Sequence, residues 1–429
     1  MTARELAFRL LQRAEANDQF INLSLDHALE RSGLSESDRA LAAALVYGVT
    51  EKRLTLDYRI ASLSSRPVEE LDPSVKTALR LGLYQLFCMD RIPSHAAVNE
   101  TVSLVSRKVA GFVNAILRSA LRSPDQPLPD EQKDLIGYLS VKYSIGRPLT
   151  DKLLSVFGRE RAEALFAAFG RIPPTTLSVN TLKISREELA KRIPDAIPTP
   201  YSSKGLLVRG SVRELYGFSE GLFFVQDEAS QIAVEALGAK EGDLLMDICS
   251  CPGSKSFGSA IRMNNKGTIL SFDLHEKKLP LISSGASRLG IDIITPAVRD
   301  GRNPLPEYFG KADRVLCDVP CSGFGVLAKK PELRYKDPAA SASLPAIQSA
   351  ILDNACRYVK DDGTLVYSTC TVLPEENEEN VSRFLERHPE FIPVPFSSGS
   401  LSVPTGSITL LPNEHGTDGF FVAKFKKQG

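Results

Sequence analysis

The stretch Leu244-Leu245-Met246-Asp247-Ile248-Cys249-Ser250-Cys251-Pro252-Gly253-Ser254-Lys255 decides how the rest of the chain is read. Its first half is a short apolar run, which predicts a buried strand. Its second half is a tight loop of small residues that feeds a helix. The same alternation continues on both sides. Upstream stand a strand, LFFVQ from Leu222, and a helix over Glu228 to Leu237. Downstream come ILSFD, DIITPAV, DRVLCD, TLVYSTC and a final FFVAKF, with helices between most of them. Strands that alternate with helices predict a parallel, doubly wound α/β sheet of the Rossmann-like kind.

The chain before this region reads differently. Thr2 and Glu5 form a capping box for a helix carrying Leu6, Leu10 and Leu11. Asp72-Pro73 predicts an N-cap followed by proline at the first helical position. Val75, Leu79, Leu83 and Leu86 then recur at helical spacing, and two more helices follow Pro93. The stretch Ser123 to Asp130 holds three prolines and predicts a linker. About Leu135 to Phe169 is again helical, whereas Thr176 to Lys183 and Leu206 to Val208 read as strands. The expected organisation is an all-α domain over 1–125, linker helices and a small mixed subdomain over 135–220, and the α/β domain over 221–429. No internal repeat or low-complexity tract is visible.

Composition narrows the function classes. The 429 residues carry 52 basic and 52 acidic side chains, a net charge of zero. Indiscriminate coating of nucleic acid needs a basic surface, so any such contact must be local. The longest apolar run, Ala40 to Val49, is half the length of about 20 residues that a membrane helix needs. The first residues lack a signal-peptide core, so a cytoplasmic protein is expected. Seven cysteines, six of them after residue 245, are then expected to be reduced thiols.

An open α/β sheet binds its ligand at the carboxyl ends of its strands. The loop Cys249 to Lys255 follows one such end, and its backbone N–H groups suit a ligand carboxylate. It lacks GxGxxG, which disfavours a dinucleotide. The next strand ends in Asp273, suited to ribose hydroxyls, and the third near Asp300, within reach of an adenine amino group. Each acid alone reads as a solvated loop residue. Loop and acids in order describe an adenosine-type cofactor with a short polar tail, such as S-adenosylmethionine. Two further strands end in Asp318-Val319-Pro320-Cys321-Ser322-Gly323 and in Ser368-Thr369-Cys370-Thr371. This places two cysteines beside the same pocket. Cys88, Cys317 and Cys356 read as small buried hydrophobes. Zinc is disfavoured by the one-residue spacer of Cys249-x-Cys251 and by only five histidines. No C-x-x-C redox pair occurs.

Asp247-x-Cys249 followed by Pro252-Gly253-x-Lys255, then DVPCSG, then STCT with PEENE behind it, resemble the RNA 5-methylcytosine methyltransferases. DGFFVAKF at the end, VNTLK and FVQDEAS match as well, and GFVNAILR resembles a NusB-like RNA-binding domain. The resemblance covers essentially the whole chain. It implies that Cys370 is a nucleophile toward cytosine C6, that Cys321 assists its release, and that Asp318 holds the N3/N4 edge of the base. It implies S-adenosylmethionine on Cys249, Ser250, Cys251, Pro252, Gly253, Ser254, Lys255, Asp273, Asp300 and Asp318, and no metal. The NusB-like domain implies a cytosine in 16S ribosomal RNA as target, taken before full ribosome assembly by a monomer. The loop departs from the family's usual CAAPGGK at Ser250, Cys251 and Ser254, where serine side chains are expected to crowd the methionine tail.

Two basic clusters are candidate RNA contacts. One comprises Arg80, Arg91, Arg107, Lys108, Arg118 and Arg122; the other Lys329, Lys330, Arg334 and Lys336, with Tyr335 as a base-stacking candidate. Alternative readings are the same chemistry on tRNA, a non-catalytic NusB-type assembly factor, and an amino-group methyltransferase. The last is disfavoured because Cys321-Ser322 follows Pro320 where such sites carry a stacking aromatic.

Overall fold

The computed structural model describes residues 1–17 and 21–429. The chain packs as two compact units: Met1–Arg171 with Leu327–Pro338, and Ile172–Val326 with Ala339–Gly429.

The first unit is helical. The Thr2 hydroxyl accepts the Glu5 N–H at 3.2 Å and the Glu5 carboxylate accepts the Thr2 N–H at 2.9 Å, which starts the helix Ala3–Asn17. Asp72 caps Pro73–Cys88 through the Ser74 N–H at 2.8 Å. Leu45, Ile60, Leu79, Leu83, Val113 and Leu117 fill one core. Ser123–Asp130 has no helix or strand, but the compact units divide at Arg171, not there. The reason is that the helix Leu135–Tyr143 is tied to the helix Arg53–Leu63. The Thr55 hydroxyl donates to Val141 O at 2.6 Å, and the Leu54 N–H donates to the Ser144 hydroxyl at 3.0 Å.

Both basic clusters need correction. Arg80 is buried among carboxylates, with Asp57 at 2.6 Å and Glu15 at 3.3 Å, and belongs to the core of its unit. Arg91, Arg107, Lys108, Arg118 and Arg122 are exposed. In the second cluster Arg334 is fully buried, donating to the carbonyls of Tyr143 and Phe169. The Tyr335 hydroxyl lies 2.6 Å from Thr50 O and 2.9 Å from the Ser144 hydroxyl, and accepts the Arg53 N–H at 3.1 Å. Its ring is covered by the Arg53 guanidinium at 3.7 Å. Arg334 and Tyr335 are structural clasps inside the first unit; neither offers charge or a stacking face to RNA.

The second unit holds two main sheets. A small antiparallel sheet comprises β1 (Thr175–Val179), β2 (Ile197–Pro198), β3 (Gly205–Val208) and β4 (Phe223–Val225), in the order β2-β3-β1-β4. The larger one comprises β5 (Leu244–Asp247), β6 (Thr268–Asp273), β7 (Ile294–Val298), β8 (Ala312–Asp318) and β9 (Val359–Thr369), all parallel. After β10 (Phe391–Pro393), a hairpin forms from β11 (Phe396–Ser398) and β12 (Leu401–Val403). Then come β13 (Ser407–Leu410) and β14 (Phe420–Lys427), which run antiparallel. The order is β10-β14-β9-β8-β5-β6-β7, with β13 on β14. Successive residues of one strand point to opposite faces. Leu245 and Met246 accordingly enter two cores, one under the helices Glu228–Leu237 and Ser254–Arg262, the other under Leu344–Ala355 and Glu378–Arg387. The strand order reverses between β5 and β8, so the residues after these strands face a common crevice.

Candidate functional site

The crevice is built from strand ends. At its base the Asp247 side chain is fully buried and accepts the Ser256 hydroxyl at 2.6 Å. Burial raises its pKa to about 7. The loop behind it is held from within: the Ser250 N–H and hydroxyl both donate to Phe272 O, at 2.7 and 3.0 Å. The Gly253 N–H donates to Ser250 O at 2.6 Å and the Cys251 N–H to the Asp273 carboxylate at 3.3 Å. The three loop N–H groups and the Ser250 hydroxyl are thus engaged. The donors that helix geometry leaves open are the first-turn N–H groups from Ser254 onward. The Ser250 side chain is spent on the protein itself and does not intrude on a ligand. Gly253 has φ +107°, and a Cβ there would stand 2.6 Å from the Phe257 ring. Only glycine fits that close turn.

Asp273 sits at the tip of β6, its two oxygens oriented by the N–H groups of Cys251 and His275, the latter at 2.9 Å. Beyond β7, Asp300 is clamped by Arg302 through Nε at 2.9 Å and Nη2 at 2.6 Å, which lowers its pKa. Beside it Ile248, Phe272, Asp300, Gly301 and Leu305 line a small recess. A Cβ at Gly301 would approach the Ile248 side chain to 2.8 Å, so glycine keeps this recess open. A narrow apolar slot, an oriented carboxylate and a helix N-terminus fit the adenine, ribose and amino-acid parts of S-adenosylmethionine.

Across the reversal stands Asp318. Its Oδ2 pairs with the Lys255 ammonium at 2.5 Å, and its Oδ1 accepts the Ser368 hydroxyl at 2.8 Å. Lys255 is therefore a partner of Asp318. Strands β8 and β9 are direct neighbours, with Asp318 opposite Ser368. Cys321 and Cys370 follow them, and their Sγ atoms are 3.1 Å apart. The Cys370 N–H points to the Cys321 sulfur at 3.2 Å. The Cys321 thiol is held protonated by its hydrogen bond with Cys370 and then by burial.

All seven cysteines are free thiols. Cys317 and Cys356 are buried as expected, but Cys88 is exposed, contrary to its reading as packing. No metal-binding cluster occurs among the described residues, and none of their helices is long and apolar enough to cross a membrane. Sequence reasoning assigned no role to Asp247, Ser368, Gln348, Glu376 or Asn377. PEENE was noticed only as a likeness, and nothing in the helix around Gln348 signals its inward direction.

Comparison with known proteins identifies the family and the fold. Residues 234–426 match the family model of the 16S rRNA methyltransferase RsmB/F, and residues 1–122 that of the NusB family. The chain is 35% identical to the probable ribosomal RNA small subunit methyltransferase B of Synechocystis sp., with all of both chains covered. It is 35% identical to the protein of the same description in Bacillus subtilis, covering 100% of this chain and 99% of that one. The crystal structure of PH0851 superposes with a TM-score of 0.82 at 26% identity, covering 100% of this chain and 99% of that one. With a full-length match to these relatives, a helical NusB domain and an α/β methyltransferase domain, this chain belongs to the S-adenosylmethionine-dependent 16S rRNA methyltransferase RsmB/F family.

Proposed function

We propose that this protein methylates C5 of a cytosine in 16S ribosomal RNA through a covalent bond between Cys370 and C6 of the base. The observation that carries the reading is the thiol pair: two sulfurs 3.1 Å apart at adjacent strand ends, beside the Lys255–Asp318 pair. C5 of cytosine is a weak nucleophile. Addition of the Cys370 thiolate to C6 makes an enamine and puts electron density on C5. The Asp318 carboxylate, fixed by Lys255 and Ser368, accepts hydrogen bonds from the N4 amino group and from the N3–H that forms as N3 takes a proton from water on addition and returns it on release. S-adenosylmethionine supplies an electrophilic methyl group; the residues that would hold it are the Ser254–Lys255 helix end, Asp273, Asp300 and the recess at Gly301. Once the adduct has formed, the Cys321 thiol gives its proton to water; as a thiolate it then takes the C5 proton, and the electron pair of that C–H bond re-forms the C5–C6 double bond and expels Cys370. The base must leave its stack to reach these groups, so the substrate is single-stranded or flipped out. The exposed basic residues Arg107, Lys108, Arg118 and Arg122 supply local phosphate contacts. The RNA is taken before full ribosome assembly, by a monomer. A non-catalytic assembly role leaves the thiol pair without a purpose.

The test is a denaturing gel with substrate RNA and methyl donor. Cys370→Ala is expected to abolish methyl transfer, and Cys321→Ala to leave RNA covalently attached to protein, because attack proceeds while release fails. Free RNA alone in the Cys321→Ala lane contradicts the roles given to the two thiols. Bisulfite sequencing of ribosomal and transfer RNA, with and without the protein, identifies the modified base; a mark on tRNA only would replace the ribosomal target.

A further inference from the structure

The two thiols are held from below by a pair of consecutive residues. Glu376 and Asn377 are 1% and 0% exposed. The Glu376 carboxylate accepts the N–H of Ser322 at 3.0 Å and the side-chain amide of Gln348 at 2.7 Å. That same amide donates to Pro320 O at 3.0 Å. Both chain neighbours of Cys321 are thereby fixed. Asn377 does the same for the other thiol. Its Oδ1 accepts the Thr369 hydroxyl at 2.6 Å, and its amide donates to Thr371 O at 3.0 Å. Both chain neighbours of Cys370 are fixed. A strut between the Ser322 and Thr371 hydroxyls, 2.8 Å apart, joins the two loops. The Tyr367 hydroxyl donates to Glu376 O at 2.6 Å and anchors the pair to β9.

A buried carboxylate is expensive unless a cation pairs with it. No Lys, Arg or His lies within ion-pair distance of Glu376 among the described residues, and a neutral amide could accept the same two N–H groups. The near neighbour of Glu376 is Cys321, where its negative field adds, after the hydrogen bond with Cys370 and burial, to what favours thiol over thiolate. The titratable groups around Cys321 are Tyr367 from β9, Cys370 just beyond it and Glu376 from the turn behind it, with Asp318 at the end of β8 and its partner Lys255 on the helix after β5.

We propose that Glu376 and Asn377 are the positioning residues of the thiol pair: Asn377 sets the place of Cys370, and Glu376 sets that of Cys321. The division of labour between two chemically identical side chains then has a physical source. The charge of Glu376 bears on Cys321, adding to the hydrogen bond and the burial that favour its thiol form, so that Cys321 releases its proton only after the adduct has formed. The consequence for turnover rests on the reaction proposed above; the consequence for the thiols themselves does not.

The experiment uses the full chain and two variants, Glu376→Gln and Asn377→Ala. Iodoacetamide labelling from pH 6 to 10, followed by peptide mass spectrometry, reads Cys321 and Cys370 separately, with no RNA present. In the native protein Cys370 is expected to label first. In Glu376→Gln, labelling of Cys321 at pH 8 is expected to rise at least threefold, with its midpoint moved to lower pH. In both variants kcat is expected to fall at least tenfold with KM for RNA and binding of S-adenosylmethionine unchanged. Unchanged labelling of both thiols in a folded Glu376→Gln protein overturns the proposal. So does a loss of kcat that only follows a loss of cofactor binding and thermal stability. Native protein that labels as expected but transfers no methyl to cytosine would instead overturn the reaction, and leave the positioning role standing.

Discussion

Asp247 sets a pH dependence that a single substitution removes. Its carboxyl is fully buried at the end of β5 and keeps its proton up to about pH 7. In the unfolded chain the same group loses its proton near pH 4. Between those values the native state binds more protons than the unfolded state, so its contribution to stability falls as pH rises. The gap of about three pH units is worth about 4 kcal/mol in full, of which about 2–3 kcal/mol is lost between pH 5 and pH 8. Asn has the same shape, keeps an oxygen for the Ser256 hydroxyl, and does not titrate. Asp247→Asn is therefore expected to match the native protein within about 1 kcal/mol near pH 5, after allowance for the part already lost there, and to exceed it by about 3 kcal/mol at pH 8. The chain has no Trp, so intrinsic fluorescence does not single out this sheet. Cys317, fully buried in β8, is a local reporter: a brief pulse of thiol reagent along a urea series reads the opening of the sheet around Asp247. Groups elsewhere that titrate over the same range cancel in the difference between the two proteins. Parallel loss of stability in both from pH 5 to pH 8 would show that Asp247 is already ionised in the native state, and the reasoning fails.

Three further outcomes follow from the same geometry. Gly253→Ala forces a side chain into a φ of +107° and against the Phe257 ring, at a cost of about 2–3 kcal/mol; calorimetry is expected to show at least tenfold weaker binding of S-adenosylmethionine, and unchanged binding would remove the loop from the cofactor site. Tyr335→Phe leaves the Arg53 N–H without its acceptor and is expected to lower the stability of the helical unit by about 1–2 kcal/mol in urea denaturation; no change would reopen the possibility of a ring available to RNA. Lys255→Met takes the cation from Asp318, a pair that is only partly buried, so about 1–3 kcal/mol of stability is expected to go; methyl transfer is expected to fall at least tenfold in a filter-binding assay, and full activity would show that Asp318 needs no fixed partner.

The strands were legible because each carries an apolar run closed by a turn residue, and the residue after each run is where an open sheet places its chemistry. That logic brought Asp273, Asp318, Cys321 and Cys370 to one crevice edge without a structure. It failed where meaning depends on a distant partner. Arg80 and Arg334 look like surface charge in sequence, and only the fold supplies Asp57 for one and the carbonyls of Tyr143 and Phe169 for the other. Tyr335 is ambiguous in sequence for the same reason: the Arg53 guanidinium that covers its ring is 282 residues earlier in the chain. The compact-unit division was hidden because proline content marks where regular structure stops, not where packing stops.

The acids around the crevice show why residue type alone does not assign chemistry. Asp247, Asp300 and Asp318 all stand at or just beyond the carboxyl ends of parallel strands, yet each meets a different environment. Burial makes Asp247 proton-retaining at neutral pH. A bidentate arginine holds Asp300 ionised and in place. Asp318 shares one oxygen with a buried ammonium and the other with a hydroxyl, which aims it without removing it from the crevice. The same principle governs the sulfurs: two cysteines 3.1 Å apart cannot both ionise cheaply, and the hydrogen bond with Cys370 together with burial holds the proton on Cys321. Under the roles proposed for them, environment imposed by residues far apart in sequence is what divides the work between two chemically identical thiols.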